Sequence, residues 1–212
     1  MLINSLSKQP LIIVIRLKEE DFNDISKSSP LFLQIDYLNR SGVKHIEIAW
    51  SSDHRWPLIM EKLVQIYGDI LFGAASIVST HSLKVISELN LTYAMSPIWD
   101  INLQEEAKSL NQLLIPGVFS PTEIYQAKAY GCQIIKLFPA ASLGIKYLNQ
   151  LKVPLREIPF TIAAGGLKAK DIEPWLNAGY DAIALGRELI KNGNIDNSLQ
   201  AWLNQIIMKD KK

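Results

Sequence analysis

The chain has a single cysteine, Cys132, among 212 residues. No intrachain disulfide can form, which excludes a disulfide-stapled scaffold and fits a reducing compartment. Histidine is also scarce: His45, His54 and His81 are scattered without the spacing of a ligand set, so no metal site is expected. Neither sign of charge dominates. The 22 basic and 21 acidic residues leave a formal net charge of +1, which removes the argument for nucleic acid or an anionic membrane as partner. The basic run KDKK (209–212) reads as a solvated end. No apolar run approaches the roughly 20 residues of a membrane span. The start, MLINSLSKQP, lacks the basic stretch and apolar core of a signal peptide. A cytoplasmic protein is expected. Also missing is a Gly-x-Gly-x-x-Gly after the first apolar run, the mark of a dinucleotide-binding open sheet.

What is present is alternation. At 48% hydrophobic and 20% charged, the chain can bury a sizeable core. Short runs rich in Ile, Leu and Val read as strands: LIIVIR (11–16), KHIEIA (44–49), ILFGAA (70–75), TYAMSP (92–97), LLIPG (113–117), QIIKLFP (133–139), FTIAAGG (160–166) and DAIALG (181–186). Amphipathic stretches separate them. Helices are predicted over 31–42, with Gly42 as stop, over 57–68, again stopped by glycine, and over 80–90. Others are predicted near 103–110, 121–130, 143–150, 168–178 and 187–207, the last broken at Asn192-Gly193-Asn194. The segment 17–30 is long for a loop and has room for a short extra helix. Eight alternating strand–helix units predict an α/β fold, a parallel (β/α)8 TIM barrel, in one domain over 1–212.

In such a barrel the site is built where the strands end. Arg16 ends the first strand, Glu47 stands near the end of the second, and Ser76 follows the third. Pro97 ends the fourth, while the sixth carries Lys136 and then Phe138. Gly165 and Gly166 end the seventh strand, and Gly186 and Arg187 the eighth. The alternation of side chains along a strand sends Ile46 and Ile48 outward and Glu47 inward. It likewise sends Ile135 and Leu137 outward, and Ile134, Lys136 and Phe138 inward. Low dielectric depresses a lysine pKa, so a buried amine is available to attack a carbonyl and form a Schiff base. A nearby carboxylate can move the protons that this chemistry needs. Backbone N–H groups of the last two strand ends form an anion cradle, to which Arg187 would add a bidentate donor.

Plainer roles exist for the same residues. A lysine in an apolar strand can snorkel to a wet rim, a Lys–Glu pair can be structural, and the glycines can be turns. The tryptophans pack, with Trp50 and Trp99, which follow strand ends, as candidates to wall the pocket. Cys132 reads as a small buried residue.

Six segments in order resemble the 2-keto-3-deoxy-6-phosphogluconate (KDPG) and 4-hydroxy-2-oxoglutarate (KHG) aldolases. They are IIVIR (12–16), HIEIAWSS (45–52), FGAASIVS (72–79), AMSP (94–97) with LIPGVFSPTE (114–123), IIKLFPA (134–140) and AAGGL (163–167). The resemblance implies a class I aldolase with Lys136 as Schiff-base nucleophile and Glu47 as general acid/base. The implied reaction cleaves KDPG to pyruvate and glyceraldehyde 3-phosphate, or KHG to pyruvate and glyoxylate. It also implies no metal or organic cofactor, a small keto-acid ligand as partner, and a homotrimer. Four sites depart from the family pattern. An arginine that holds the pyruvyl carboxylate is replaced by Ser51, so that either Arg16 takes its role or the substrate differs; a Gly-Thr pair is Ala75-Ser76, which keeps the hydroxyl; a threonine before Gly-Gly is Ala164; and a serine after the last glycine is Arg187, which either strengthens phosphate binding or fills the pocket. Two rival functions differ in class. One is a non-catalytic barrel that binds an anionic metabolite; the other is a phosphosugar epimerase or isomerase using Glu47 without a covalent step.

Overall fold

The structure is a computed structural model that describes residues 1–186, 189–191 and 194–209. Nine short strands form one all-parallel sheet: β1 (Leu11–Ile15), β2 (His45–Ala49), β3 (Leu71–Ala75), β4 (Tyr93–Met95), β5 (Leu114–Ile115), β6 (Gly117–Val118), β7 (Ile134–Leu137), β8 (Phe160–Ala164) and β9 (Ala182–Leu185). Helices cross between them, as the alternation predicts.

The expected fifth strand is split. β5 pairs with β4 and β6 with β7, and Pro116 stands between them. Proline has no N–H to give a ladder, but its carbonyl still accepts from the Lys136 N–H at 2.9 Å. The two halves thus occupy one barrel position, and the sheet closes on itself through that residue. Gly117 permits the close approach of the segment after β4, because a Cβ there would stand 2.3 Å from the Pro97 backbone carbon.

Side-chain parity divides the core in two. Outward residues such as Ile13, Ile46, Ile48, Phe72, Ile135, Leu137, Ile183 and Leu185 pack under the helices. Inward residues such as Ile12, Tyr93, Met95, Ile115, Ile134 and Ile162 fill the lumen. The lower mouth is closed by an N-terminal helix, Leu2–Lys8, which the sequence reading did not contain. Its Leu2 and Leu6 enter the lumen cluster, and the Gln9 side chain bonds the Gly42 carbonyl and the Lys44 N–H, each at 2.8 Å.

Several boundaries differ from expectation. The short helix in 17–30 is present as Glu19–Asn23. Gly42, at φ +87°, stops the helix Pro30–Arg40 as predicted, whereas Gly68 lies outside the left-handed region and the helix Trp56–Ile66 ends at Tyr67. The helix expected over 143–150 is two pieces, Ala140–Leu143 and Tyr147–Leu155, separated at Gly144. The final helix begins at Asn197, where Asp196 accepts from the Ser198 and Leu199 N–H groups. Ahead of it, Ile190–Lys191 pairs antiparallel with Asn194–Ile195. Among the described residues no helix is long and apolar enough to cross a membrane.

Candidate active site

Glu47 and Lys136 project from β2 and β7, which are opposite walls of the barrel. Both point inward, as the alternation requires. Both are buried: Glu47 is 1% exposed and Lys136 7%. Few large side chains share their level. Ala75, Ala164 and Ala184, with Gly165, Gly166 and Gly186 above them, leave a cavity of about 500 Å³ into which both groups reach. The cavity opens at the C-terminal ends of the strands, where barrel sites are built.

Burial dominates the electrostatics. It raises the pKa of Glu47, and the Lys136 cation only partly offsets that rise. It lowers the pKa of Lys136, and the Arg16 cation lowers it further, against the opposing pull of Glu47. Each group is shifted toward its neutral form, the state that desolvation favours. The pair makes no direct contact within salt-bridge distance, and Glu47 Oε1 has no hydrogen-bond partner among the described residues. Lys136 Nζ instead lies 5.4 Å from the centroid of the Phe138 ring. The amine is thus buried but not tied up.

The other predicted residues divide by position. Arg16, Ser76 and Pro97 line the cavity on one side; Phe138, Gly165, Gly166 and Gly186 line it on the other. Arg16 Nη1 donates to Ser76 Oγ at a long 3.4 Å. Ser76 holds φ at +65°, a left-handed conformation uncommon for a residue with a side chain, and strain of this kind gathers at functional sites. Gly165 is needed for space as well as for φ, since a Cβ there would stand 2.9 Å from the Phe138 ring. Arg187 lies outside the described residues.

Ser51 is absent from the cavity wall. Its Oγ accepts from the Asp53 N–H at 3.2 Å. The neighbouring cation, Arg55, is held by Asp53 and also donates to the Phe22 carbonyl and to Asn23 Oδ1. Trp50 and Trp99 do not wall the cavity either; they pack edge-on against Trp56 and Tyr130. Cys132 is half-buried. Among the described residues no cluster of His, Cys, Asp and Glu could hold a metal.

The structure adds three residues to the neighbourhood. Ser142, on the short helix Ala140–Leu143, and Lys168, in the loop after β8, also line the cavity, at positions the strand pattern does not reveal. Tyr93, fully buried on β4, faces the lumen, and its hydroxyl has no partner among the described residues.

A family model described as KDPG and KHG aldolase matches residues 2–206. The chain belongs to the KDPG/KHG aldolase family. Members are carbon–carbon lyases, and this enzyme is an aldolase. It is 25% identical to 2-dehydro-3-deoxy-6-phosphogalactonate aldolase of Escherichia coli (strain K12), over 72% of this chain and 75% of that one. A KDPG aldolase of Legionella pneumophila, solved with pyruvate captured as a covalent carbinolamine, superposes with a TM-score of 0.74 at 22% identity over 94% of this chain and 93% of that one. The KDPG aldolase of Zymomonas mobilis ZM4, solved with 3-phosphoglycerate, gives a TM-score of 0.77 at 17% identity over 96% and 94%. At such identities the two structures speak for the barrel fold alone.

Proposed function

We propose that this aldolase works through a Schiff base on Lys136 and cleaves a phosphorylated 2-keto-3-deoxy sugar acid to pyruvate and glyceraldehyde 3-phosphate. The observation that carries the reading is the meeting of a buried amine and a buried carboxylate, from opposite walls, in one cavity. The neutral amine of Lys136 adds to the C2 keto carbon, and loss of water leaves an iminium. Glu47, as carboxylate, takes the proton of the 4-hydroxyl. The C3–C4 bond breaks, its electron pair moves into the iminium to give an enamine, and C4 departs as the aldehyde. Protonation of C3 by the Glu47 acid regenerates the iminium, and water releases pyruvate and the free amine. A carboxylate and an amine both displaced toward neutrality suit this exchange of protons.

Arg16 is the proposed holder of the substrate carboxylate, since it lines the cavity and its charge is felt at Lys136. The backbone at Gly165, Gly166 and Gly186 is the proposed phosphate cradle, with Arg187 as a further donor. Ser76, Pro97 and Phe138 complete the substrate walls. The related names divide between gluconate and galactonate substrates, which differ at C4, the carbon whose hydroxyl Glu47 would deprotonate. A cytoplasmic homotrimer belongs to the same proposal, and light scattering tests the trimer.

The test is to incubate the enzyme with pyruvate, reduce with borohydride and map the adduct by mass spectrometry. A reduced pyruvyl group on Lys136 is expected. A folded sample that gives no adduct at millimolar pyruvate overturns the Schiff base. Cleavage assays on the gluconate and galactonate epimers and on KHG, side by side, then fix the substrate.

A further inference from the structure

Three residues stand in one row across neighbouring strands: Glu47 on β2 pairs with Gly73 on β3, and Gly73 pairs with Tyr93 on β4. All three face the lumen. Gly73 has no side chain, and the Tyr93 ring occupies the space where one would be. A Cβ on Gly73 would stand 2.5 Å from Tyr93 Cε2 and 2.6 Å from Cζ. One edge of the ring, from Cδ2 at 2.8 Å to Cζ, thus lies over Gly73, the residue between Tyr93 and Glu47. Two buried polar atoms near this row lack hydrogen-bond partners, Glu47 Oε1 and the Tyr93 hydroxyl. Buried polar atoms are paired in the great majority of cases, so two orphans in one row call for a shared explanation.

We infer that Tyr93 is a positioning residue for Glu47: its hydroxyl donates, through one buried water, to Glu47 Oε1 and so turns the other carboxylate oxygen toward the cavity. This extends the proposed function, because it assumes that Glu47 moves protons. A bridging water satisfies both orphans at once, and such a bridge is nearly as good as a direct hydrogen bond. A tyrosine is suited to the task because its hydroxyl stays protonated: burial and the Glu47 charge both raise its pKa. Other charges near Glu47 come from Lys136 on β7 and, beyond it, Arg16 on β1. β8 and β9 present Ala164 and Ala184 to the cavity, and β3 presents Ala75. The bland alternative is that Tyr93 merely fills the space over Gly73, and phenylalanine would do that equally well.

The test is therefore Tyr93→Phe, which keeps the ring and removes the donor. Donation to a carboxylate favours its charged form. Without it the Glu47 pKa rises, and the acid limb of the pH profile of kcat/KM moves up by about one unit, with kcat about tenfold lower and KM little changed. The Glu47 carbonyl band in infrared titration, identified by its loss in Glu47→Gln, should shift by the same amount without any substrate. Gly73→Ala, which displaces the ring, should move that band in the same direction. An unchanged infrared midpoint and acid limb in folded Tyr93→Phe overturn the inference. The infrared titration and the trapping of pyruvate on Lys136 can fail independently, so loss of one reading is distinguishable from loss of the other.

Discussion

His45 and Glu47 stand on the same strand, both face the lumen, and both are buried. Their surroundings are opposite. At the lower end His45 is saturated: Nε2 meets Ser5 Oγ at 2.8 Å and Nδ1 meets the Leu11 carbonyl at 3.0 Å. The N-terminal helix that supplies Ser5 keeps the region closed. One step up, Glu47 Oε1 has no protein partner among the described residues, its lysine is out of contact, and the cavity beside it is open. A buried polar group with every partner in place is structural. One left short of partners marks the end of the barrel where chemistry is arranged.

The comparison is broken most directly at its upper end. Lys136→Met should abolish pyruvate trapping and reduce cleavage to the limit of detection. Glu47→Gln should retain binding yet lower kcat by roughly 10²–10⁴-fold, the usual worth of a positioned acid/base. Neither variant should be less stable. Replacing a desolvated lysine by an apolar side chain of similar length should raise stability by about 1 kcal/mol, or Tm by about 2–4 °C. A cooperative loss of fold in both would show the pair to be structural, as His45 is.

The lower end is broken by acid. Burial holds the His45 pKa down at about 4 against an ordinary 6.5. The neutral ring is thus favoured in the folded state and binds its proton more readily when unfolded. This contribution is fully present above pH 6.5, is lost progressively as pH falls toward 4, and amounts to on the order of 3 kcal/mol. Thermal melts across that window should show the decline, and His45→Gln should flatten it while lowering Tm at neutral pH through loss of the paired ring. Cleavage per folded molecule should be unaffected, which separates this residue from Glu47.

Much of this contrast was legible in the sequence. Alternation of apolar and polar positions along KHIEIA and QIIKLF is enough to send Glu47 and Lys136 inward, because strand periodicity is rigid. What was illegible depended on register or on tertiary contact. The row Glu47–Gly73–Tyr93 needs the pairing of three strands, which no single segment encodes. The helix Leu2–Lys8 has just two buried positions, Leu2 and Leu6, too few for a periodic signal. Pro116 reads as a strand end but is the seam of the barrel, and the final helix starts late because the short antiparallel pair of Ile190–Lys191 with Asn194–Ile195 precedes it.

A smaller effect is expected at Arg16. Arg16→Ala removes a cation from the cavity wall without unburying anything, since the residue is exposed. If it holds the substrate carboxylate, KM should rise about tenfold, the worth of one charge-assisted contact, with kcat changed less. The pyruvate concentration needed for half-maximal trapping on Lys136 should rise with it. Unchanged trapping would remove Arg16 from the carboxylate role.

The smallest effect belongs to Ser51, where the family pattern calls for an arginine. The position lies off the cavity wall, and its hydroxyl serves the Asp53 N–H in the turn after β2. Ser51→Ala should therefore leave kcat/KM within about twofold and cost stability about 0.5–1 kcal/mol, the worth of one half-exposed hydrogen bond. Steady-state kinetics and a melt of the same sample suffice to check it. A tenfold rise in KM would show that the serine reaches the substrate after all, and the carboxylate would then have to be assigned to the β2 end of the rim. A small effect here together with a large one at Arg16 would place the substrate's carboxylate against β1, on the side where the Arg16 charge already bears on Lys136.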